Sequence, residues 1–405
     1  MTRKKIYYGW LVCITGTLLT FITMGTVSNG FAVFMPYIMD QYGLTHAQTS
    51  SLVTIRCLVA FCCMLGIGLY YKKFTLRQGT GIAAICAACS FLIYSAASTY
   101  GFFCLGATVS GFGYGFGSMI PASILMNRWF VRRRALALGI CASGSGLATI
   151  IMAPVTTWLI ENLSMSKAFL VEGLFLLGLS AVIILLIRSD PAEKGLLPYG
   201  VEDAPAEKAK EAADRRRLSA GQWVLLIAAS LMIGGVSTSG YSHLTVLYTG
   251  EGFPSMTVAA MISGIGVMLT LGKLICGQVI DRIGGRRSST LFFGLLLAGH
   301  ILCCVCDPSA GALTIANVLL LGIGYPIATI GPSTWAAELV SRENYATVVR
   351  RLQISYSGGS LLFAVIPGVL ADHFGDYIPA YLLFSALIVI TAIFVRIAYG
   401  LRRQV

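Results

Sequence analysis

The chain has 405 residues and a formal net charge of +12, yet only 11% of its residues are charged and 56% are hydrophobic. A soluble globular protein carries about 25% charged residues, so this composition excludes an ordinary water-soluble protein. A membrane-spanning helix needs about 20 apolar residues, which leaves room here for about twelve spans with short connections. The composition therefore predicts an all-α membrane protein.

Apolar stretches separated by charged or Gly/Pro-rich breaks predict twelve transmembrane helices. Six precede a polar interval, at residues 8–36, 47–71, 78–98, 101–126, 133–160 and 166–188. Six follow it, at residues 220–249, 256–280, 288–306, 311–337, 345–371 and 377–399. The interval is rich in Glu, Lys, Ala and Asp, which is typical of a solvated linker. We therefore expect an N-terminal six-helix half at 1–188, a cytoplasmic linker at 189–219 and a C-terminal six-helix half at 220–405.

The basic residues predict the orientation of these helices. Of the 29 Lys and Arg residues, all but three fall at the termini, in the linker or in every second break. Because Lys and Arg are enriched in cytoplasmic loops, we expect both termini to be cytoplasmic in a multi-pass protein of the plasma or inner membrane. Short basic clusters between apolar runs do not form the basic face that nucleic acid requires, so no nucleic-acid partner is expected. The three exceptions are Lys167, at an opposite break, and Arg56 and Lys273, inside spans.

Related turns recur at three-helix intervals. They end the second, fifth, eighth and eleventh spans, at Gly68, Pro154, Gly277 and Gly368. Such internal repeats within each six-helix half are typical of secondary transporters that work by alternating access.

The eighth span ends in the motif Gly277-x-x-x-Asp281-Arg282-x-Gly284-x-Arg286. In this motif the chain resembles the major facilitator superfamily, and the resemblance extends over nearly its whole length. It implies the twelve-helix fold of that superfamily. It also implies that Gly277, Asp281, Arg282 and Arg286 form a latch that holds one conformation by charge pairing.

A narrower match opens the fifth span. The stretch from Trp129 to Gly146 contains Arg132, Arg133 and Arg134 followed by small residues, and Gly9-Trp10 begins the first span. Both are similar to signatures of the monocarboxylate porter and oxalate/formate antiporter branch. This resemblance implies a carrier of organic anions.

Two cations inside apolar spans are the first candidates for substrate binding. A cation within a span costs several kcal/mol unless it is paired or hydrated, so it marks a functional position. Lys273 stands where the resembling branch carries an Arg that pairs with a substrate carboxylate, although Lys offers a point charge in place of a planar fork. The alternative is a Lys whose amine reaches the interface. For Arg56 the alternatives are an anion ligand or gate and an anchor on backbone carbonyls.

Polar residues in other spans are supporting candidates. Asn29 stands where related porters carry a Lys, and Leu269 where they carry an Asp, so their proton-symport machinery does not transfer. His243 is either a proton shuttle or a hydrogen-bonded helix contact. Four residues are able to donate hydrogen bonds within a cavity, with plain packing as the alternative: Tyr114, Tyr325, Tyr356 and Gln353.

Two patterns are assigned structural roles. The glycines at 111, 113, 115 and 117 mimic a nucleotide loop, but they lie within an apolar span and favour close helix packing or helix flexing. Glu172 is expected to form an interfacial pair with Lys167, five residues earlier.

The sequence predicts a secondary active transporter and not an enzyme. It shows no paired intramembrane acids, no metal-binding set and no nucleophile elbow, and no cofactor or metal is expected. The expected partners are the lipid bilayer and a small organic anion, a mono- or dicarboxylate, moved by exchange or symport with a counter-anion or a proton. The alternative is an exporter of amphiphilic small molecules.

Overall fold

The computed structural model describes residues 7–130, 134–200, 218–340 and 342–401. Within these ranges the regular structure is helical, apart from one isolated bridge between Phe130 and Tyr199.

The first six spans are α1 (Tyr8–Thr20, a π-helical segment Phe21–Gly30, and Phe31–Tyr42), α2 (His46–Lys73), α3 (Leu76–Ser95), α4 (Tyr100–Gly117 and Met119–Trp129), α5 (Arg134–Asn162) and α6 (Met165–Leu186). The second six are α7 (Ala220–Gly235, a π-helical segment Val236–Gly240, and Leu244–Gly250), α8 (Ser255–Ile283), α9 (Gly285–Cys303), α10 (Gly311–Gly324 and Pro326–Leu339), α11 (Arg342–Phe363 and Ile366–Phe374) and α12 (Ile378–Gly400). Ten of these spans are long and apolar enough to cross a membrane by length and composition, and α4 and α9 complete the twelve. The prediction of twelve helical spans is confirmed.

Polar residues at the helix starts satisfy backbone groups that apolar runs leave open. Thr75 and Gln78 form a reciprocal capping box at the start of α3, and Ser219 and Gln222 form another at the start of α7. In each box the hydroxyl accepts a bond from a free N–H of the first turn, and the glutamine accepts one from the cap residue. Helices also extend beyond their apolar runs. α1 ends at Tyr42, six residues after the predicted end of the first span.

Three spans that the sequence predicts as continuous are broken near the middle or end. α10 breaks at Tyr325, directly before Pro326, and α11 breaks between Phe363 and Ile366, directly before Pro367. Proline lacks the N–H that continues a helix and disfavours the helical conformation of the preceding residue. α4 breaks at Ser118, whose backbone is extended, after a glycine-rich turn. Hydropathy alone does not report these breaks.

The glycine row of α4 packs against neighbouring helices. A Cβ at Gly113 would lie 2.8 Å from the Ala87 nitrogen of α3, and one at Gly115 would lie 3.0 Å from the Ala60 backbone of α2. Close approach of backbones through small residues is the usual way for membrane helices to associate. The packing explanation of this row is therefore confirmed for these positions.

The described residues fall into two compact units. The first comprises residues within Met1–Gly30, Leu58–Met152 and Leu159–Ala212, and the second residues within Phe31–Cys57, Ala153–Trp158 and Ala213–Val405. In each unit large apolar side chains are exposed, among them Leu69 and Leu185 in the first and Val224 in the second. In a membrane protein, exposed apolar side chains such as these are expected to contact the lipid tails.

Candidate functional site

Four of the predicted site residues lie in one neighbourhood of the second unit. Arg56 of α2 is only 4% exposed and lies within electrostatic range of His243 of α7. Cys57, the next residue, is within electrostatic range of Tyr356 of α11, and Tyr356 is within electrostatic range of Tyr325 of α10. Helices far apart in sequence thus assemble a polar cluster that contains a buried guanidinium.

His243 is bonded through both ring nitrogens. Nε2 lies 2.8 Å from the Ser50 hydroxyl of α2, and Nδ1 lies 2.8 Å from the Ser239 carbonyl of α7. Its ring lies 5.7 Å from that of Tyr377, and the side chain is fully buried. In this conformation His243 makes the hydrogen-bonded helix contact that the sequence offered as one of two alternatives.

Asp372 caps the start of α2. Its two carboxylate oxygens accept the backbone N–H groups of His46 at 2.9 Å and Ala47 at 2.8 Å. Anions are favoured at helix N-termini, where the N–H groups lack partners within the helix. The His46 ring adds a 2.9 Å contact to the Tyr377 hydroxyl, and Gly368 of α11 packs directly on Ser50. Asp372 lies four residues after Gly368, within the repeated turn that ends the eleventh predicted span.

Lys273 lies on α8 and is partly buried. The preceding residue, Gly272, fixes the helix against α10: a Cβ there would lie 3.0 Å from the Gly322 carbonyl and 3.0 Å from the Pro326 ring. Close packing therefore holds the backbone of α8 against α10, and the Lys273 side chain extends from this fixed backbone.

Three supporting candidates have different surroundings. Asn29 belongs to the first unit, where its Nδ2 donates to the Thr149 hydroxyl at 3.1 Å. Tyr114 also belongs to the first unit and is partly buried, while Gln353 is exposed on α11. Their proposed contacts with substrate stay predictions.

The predicted latch lies where α8 meets α9. Gly284 joins the two helices with φ of 78°, a conformation that favours glycine, so the turn between Arg282 and Arg286 is tight. Arg282 is exposed and Arg286 partly exposed, while the Asp281 side chain lies outside those described. Glu338 of α10 accepts the Gly285 N–H at 2.6 Å and so caps α9. The sequence did not single out Glu338.

The expected interfacial pair of Glu172 with Lys167 is wrong. Glu172 is 2% exposed, whereas Lys167 is exposed in the first turn of α6. Residues five apart are rotated by about 140° around a helix, so these two side chains leave opposite faces.

Two predictions concern residues beyond the described part. Arg132 and Arg133 of the signature that opens the fifth span lie outside the described residues, and so does most of the linker, from residue 201 to 217. Within the described part, no group of three or more His, Cys, Asp or Glu residues is arranged to hold a metal ion.

Comparison with known proteins identifies the class. The sequence profile of the Major Facilitator Superfamily matches residues 17–347 and 252–404. Monocarboxylate transporter 12 of Mus musculus is 24% identical over 428 residues, covering 98% of this chain and 87% of its own. An agnestins efflux protein of Paecilomyces divaricatus is 24% identical over 395 residues, covering 96% and 86%. The solved structure of the nucleoside transporter NupG shares the fold with a TM-score of 0.72 at 13% identity, covering 97% of this chain and 99% of its own.

The chain belongs to the major facilitator superfamily. It is a multi-pass membrane transporter and not an enzyme, and its expected twelve-helix fold is confirmed. A small-molecule substrate and a membrane environment follow from this class.

Proposed function

We propose that this transporter moves a small organic anion, a mono- or dicarboxylate, by alternating access, as an exchanger or a symporter. The observation that carries the proposal is Lys273, an ammonium group within the apolar span of α8. A cation at such a position is retained at a cost in stability, and an anionic substrate offsets that cost when it binds.

Arg56 supplies a second cation of the same unit, buried beside polar groups. Its guanidinium offers a fork of N–H donors that matches a carboxylate, while Lys273 offers a point charge. The hydroxyls of Tyr325 and Tyr356 are neutral donors for the rest of an organic acid. One cation is enough for a monocarboxylate, and a dicarboxylate would engage both.

Similarity to monocarboxylate transporter 12 supports this substrate class, because that relative is named for monocarboxylates and the match spans nearly both chains. The two six-helix halves, 1–188 and 220–405 with the linker 189–219, are the elements that we propose to move. The turn from Gly277 to Arg286 would act as a latch on one conformation. The basic clusters support a plasma or inner membrane location with both termini in the cytoplasm.

The test is counterflow in proteoliposomes. Vesicles are loaded with unlabelled short mono- or dicarboxylates, and uptake of labelled lactate or succinate is followed for the wild type, Lys273→Gln, Lys273→Arg and Lys167→Gln. We expect Lys273→Gln to raise the KM about 10- to 100-fold, since a hydrogen bond to a charged group contributes about 1.5–3 kcal/mol. Lys273→Arg should retain most of the exchange.

Lys167→Gln is the matched control, because it removes the same charge from an exposed position on α6. It should behave as the wild type. Unchanged saturation kinetics in a folded Lys273→Gln variant would remove Lys273 from the substrate site. Absence of counterflow for every carboxylate in the wild type would overturn the proposed function.

An exporter of amphiphilic compounds is the second candidate. Similarity to the agnestins efflux protein favours it, at the same identity as the monocarboxylate relative. The two functions separate in one experiment, since an exporter of this kind would lower the accumulation of an amphiphilic dye in cells and show no carboxylate counterflow.

A further inference from the structure

A second fully buried histidine, His300 of α9, has one ring nitrogen in use. Its Nδ1 lies 2.9 Å from the Leu296 carbonyl, one turn earlier in the same helix. A carbonyl oxygen only accepts hydrogen bonds, so Nδ1 carries the hydrogen and Nε2 of the neutral ring presents a bare lone pair. The ring is enclosed by aromatic side chains, at 5.7 Å from Tyr325, 5.8 Å from Tyr381 and 6.4 Å from Phe384.

The Nε2 lone pair and the Tyr325 hydroxyl converge beside one glycine. A Cβ at Gly240 would lie 3.1 Å from His300 Nε2 and 3.1 Å from the Tyr325 hydroxyl. Both atoms are buried, and neither has a hydrogen-bond partner among the described residues. Buried polar atoms are bonded in most proteins, so an acceptor and a donor left open at the same point indicate a site.

The π-helical turn Val236–Gly240 shapes this point. The Gly240 carbonyl accepts the Tyr381 hydroxyl at 2.6 Å, which holds the glycine and the aromatic cage together. π-helical turns in membrane and soluble helices frequently occur at functional sites. His243, on the next turn of α7, differs because both of its nitrogens are bonded.

The groups that face His300 are mainly tyrosines. Tyr325 of α10 and Tyr381 of α12 contact the ring, and Tyr241 of α7 lies 5.8 Å from Tyr325. Glu338 of α10 is remote, because it bonds to Gly285, about 22 Å along α9 from His300 at 1.5 Å per residue. The remaining titratable residues on α7 and on the helices packed against α9, or on α9 near the ring, are His243, Tyr248, Lys273, Cys276, Asp281, Arg282, Cys303, Cys304, Arg396 and Tyr399.

We propose that His300 Nε2 is a proton-binding site of the transport cycle and that the Tyr325 hydroxyl is the group that receives the resulting N–H. The inference rests on the proposed anion transport and extends it to the coupled species. A hydronium ion gives its proton to Nε2, an N–H bond forms as an O–H bond breaks, and water leaves. The Tyr325 oxygen then accepts a hydrogen bond from Nε2–H, and the reverse transfer to water releases the proton on the other side.

Coupling follows from the cost of burying charge. An imidazolium in an apolar aromatic cage is unfavourable by itself, and so is a carboxylate that enters the membrane interior. The attraction between the imidazolium and the carboxylate lowers the free-energy cost of burying either charge, because the dielectric constant between them is low. The proton and the anion are therefore expected to bind with positive cooperativity, which makes the carrier a symporter.

The experiment compares exchange with proton-driven uptake in proteoliposomes that contain a trapped pH-sensitive dye. Labelled lactate and labelled succinate are the probes, and the proteins are the wild type, His300→Gln, Tyr325→Phe and His373→Gln. His373→Gln is the matched control, since His373 is an exposed histidine near the end of α11. Counterflow without a pH gradient shows for the wild type, His300→Gln and His373→Gln that the protein is folded and carries the probe, and size-exclusion chromatography checks the fold of Tyr325→Phe.

We expect the wild type and His373→Gln to accumulate probe in response to an imposed pH gradient and to change the luminal pH when probe is added. His300→Gln should lose both responses and keep counterflow with a raised KM, because exchange needs no net proton release but the anion loses its cooperative proton. Tyr325→Phe should weaken both responses. Proton movement by His300→Gln at the wild-type rate would overturn the proposal, and so would wild-type counterflow without any proton movement. Only the loss of all wild-type counterflow would contradict the proposed function itself.

Discussion

At the residue scale, burial and the number of bonded atoms together distinguish a structural group from a functional candidate. His243 and His300 are both fully buried, but the first is bonded through two nitrogens and the second through one. Both histidines lie in apolar stretches of the sequence, so the sequence pattern does not distinguish them. The Nε2 atom of His300 is recognised as a hydrogen-bond acceptor without a partner only when its surroundings, Tyr325 and Gly240, are known.

Glu251, in the short connection between α7 and α8, makes the stability of the protein depend on pH. Burial, and then the nearby Asp376 and Asp307, raise the pKa of its carboxyl above the usual value for glutamate. The folded state therefore binds this proton more tightly than the unfolded state, and ionisation of Glu251 destabilises the fold. Its destabilising effect is absent below the unfolded pKa and grows as pH rises through the raised pKa.

We accordingly expect Glu251→Gln to raise the melting temperature at pH 7 and to have no effect near pH 4, at about the usual glutamate pKa. Thermal unfolding in detergent across that pH range is the measurement. Glu161→Gln, at an exposed position at the end of α5, serves as the control. A stabilisation by Glu251→Gln that is the same at both pH values would contradict this account.

At the element scale, glycines set how closely the helices approach each other. A Cβ at Gly359 of α11 would overlap the Leu231 carbonyl of α7, and one at Gly234 of α7 would overlap the Tyr356 carbonyl of α11. The two helices thus contact through their backbones, and neither glycine has room for a methyl group. Gly294 of α9, in contrast, is exposed and has no atom within 4 Å of a Cβ position.

These two positions provide a matched pair of substitutions. Gly359→Ala should destabilise the protein by about 1–3 kcal/mol or more, because overpacking forces the helices apart. Gly294→Ala should be neutral or stabilising by up to about 1 kcal/mol, because alanine favours a helix more than glycine does. Thermal unfolding in detergent measures both. Equal effects of the two substitutions would show that helix propensity and not close packing dominates at Gly359.

At the scale of the whole molecule, basic residues determine the expected orientation in the membrane. Every second connection is rich in Lys and Arg, and the connections at Glu251, Asp307 and Asp376 are acidic. The capped start of α2 at Asp372 belongs to the acidic side, and the turn at Gly284 belongs to the basic side. The latch and this cap are therefore expected on opposite faces of the membrane.

Reporter fusions test that orientation in a bacterial host. A fluorescent protein joined to the C-terminus should be fluorescent, because that end is expected in the cytoplasm. Alkaline phosphatase should be active when joined at the connection after α7 and inactive when joined at the turn between α8 and α9. The reverse pattern of activity would contradict the assignment from basic residues.

The sequence by itself predicts the class, the twelve spans and the cations inside them, because these depend on composition, on local apolar length and on the cost of charge in lipid. It offers close packing and helix flexing as explanations of the α4 glycines, and the structure shows the close packing. Only the tertiary structure shows that Asp372 caps α2, that Glu338 caps α9 and that His243 bonds to Ser50 of α2. Those contacts join residues far apart in sequence, and their partners depend on the way helices pack, which no local pattern records.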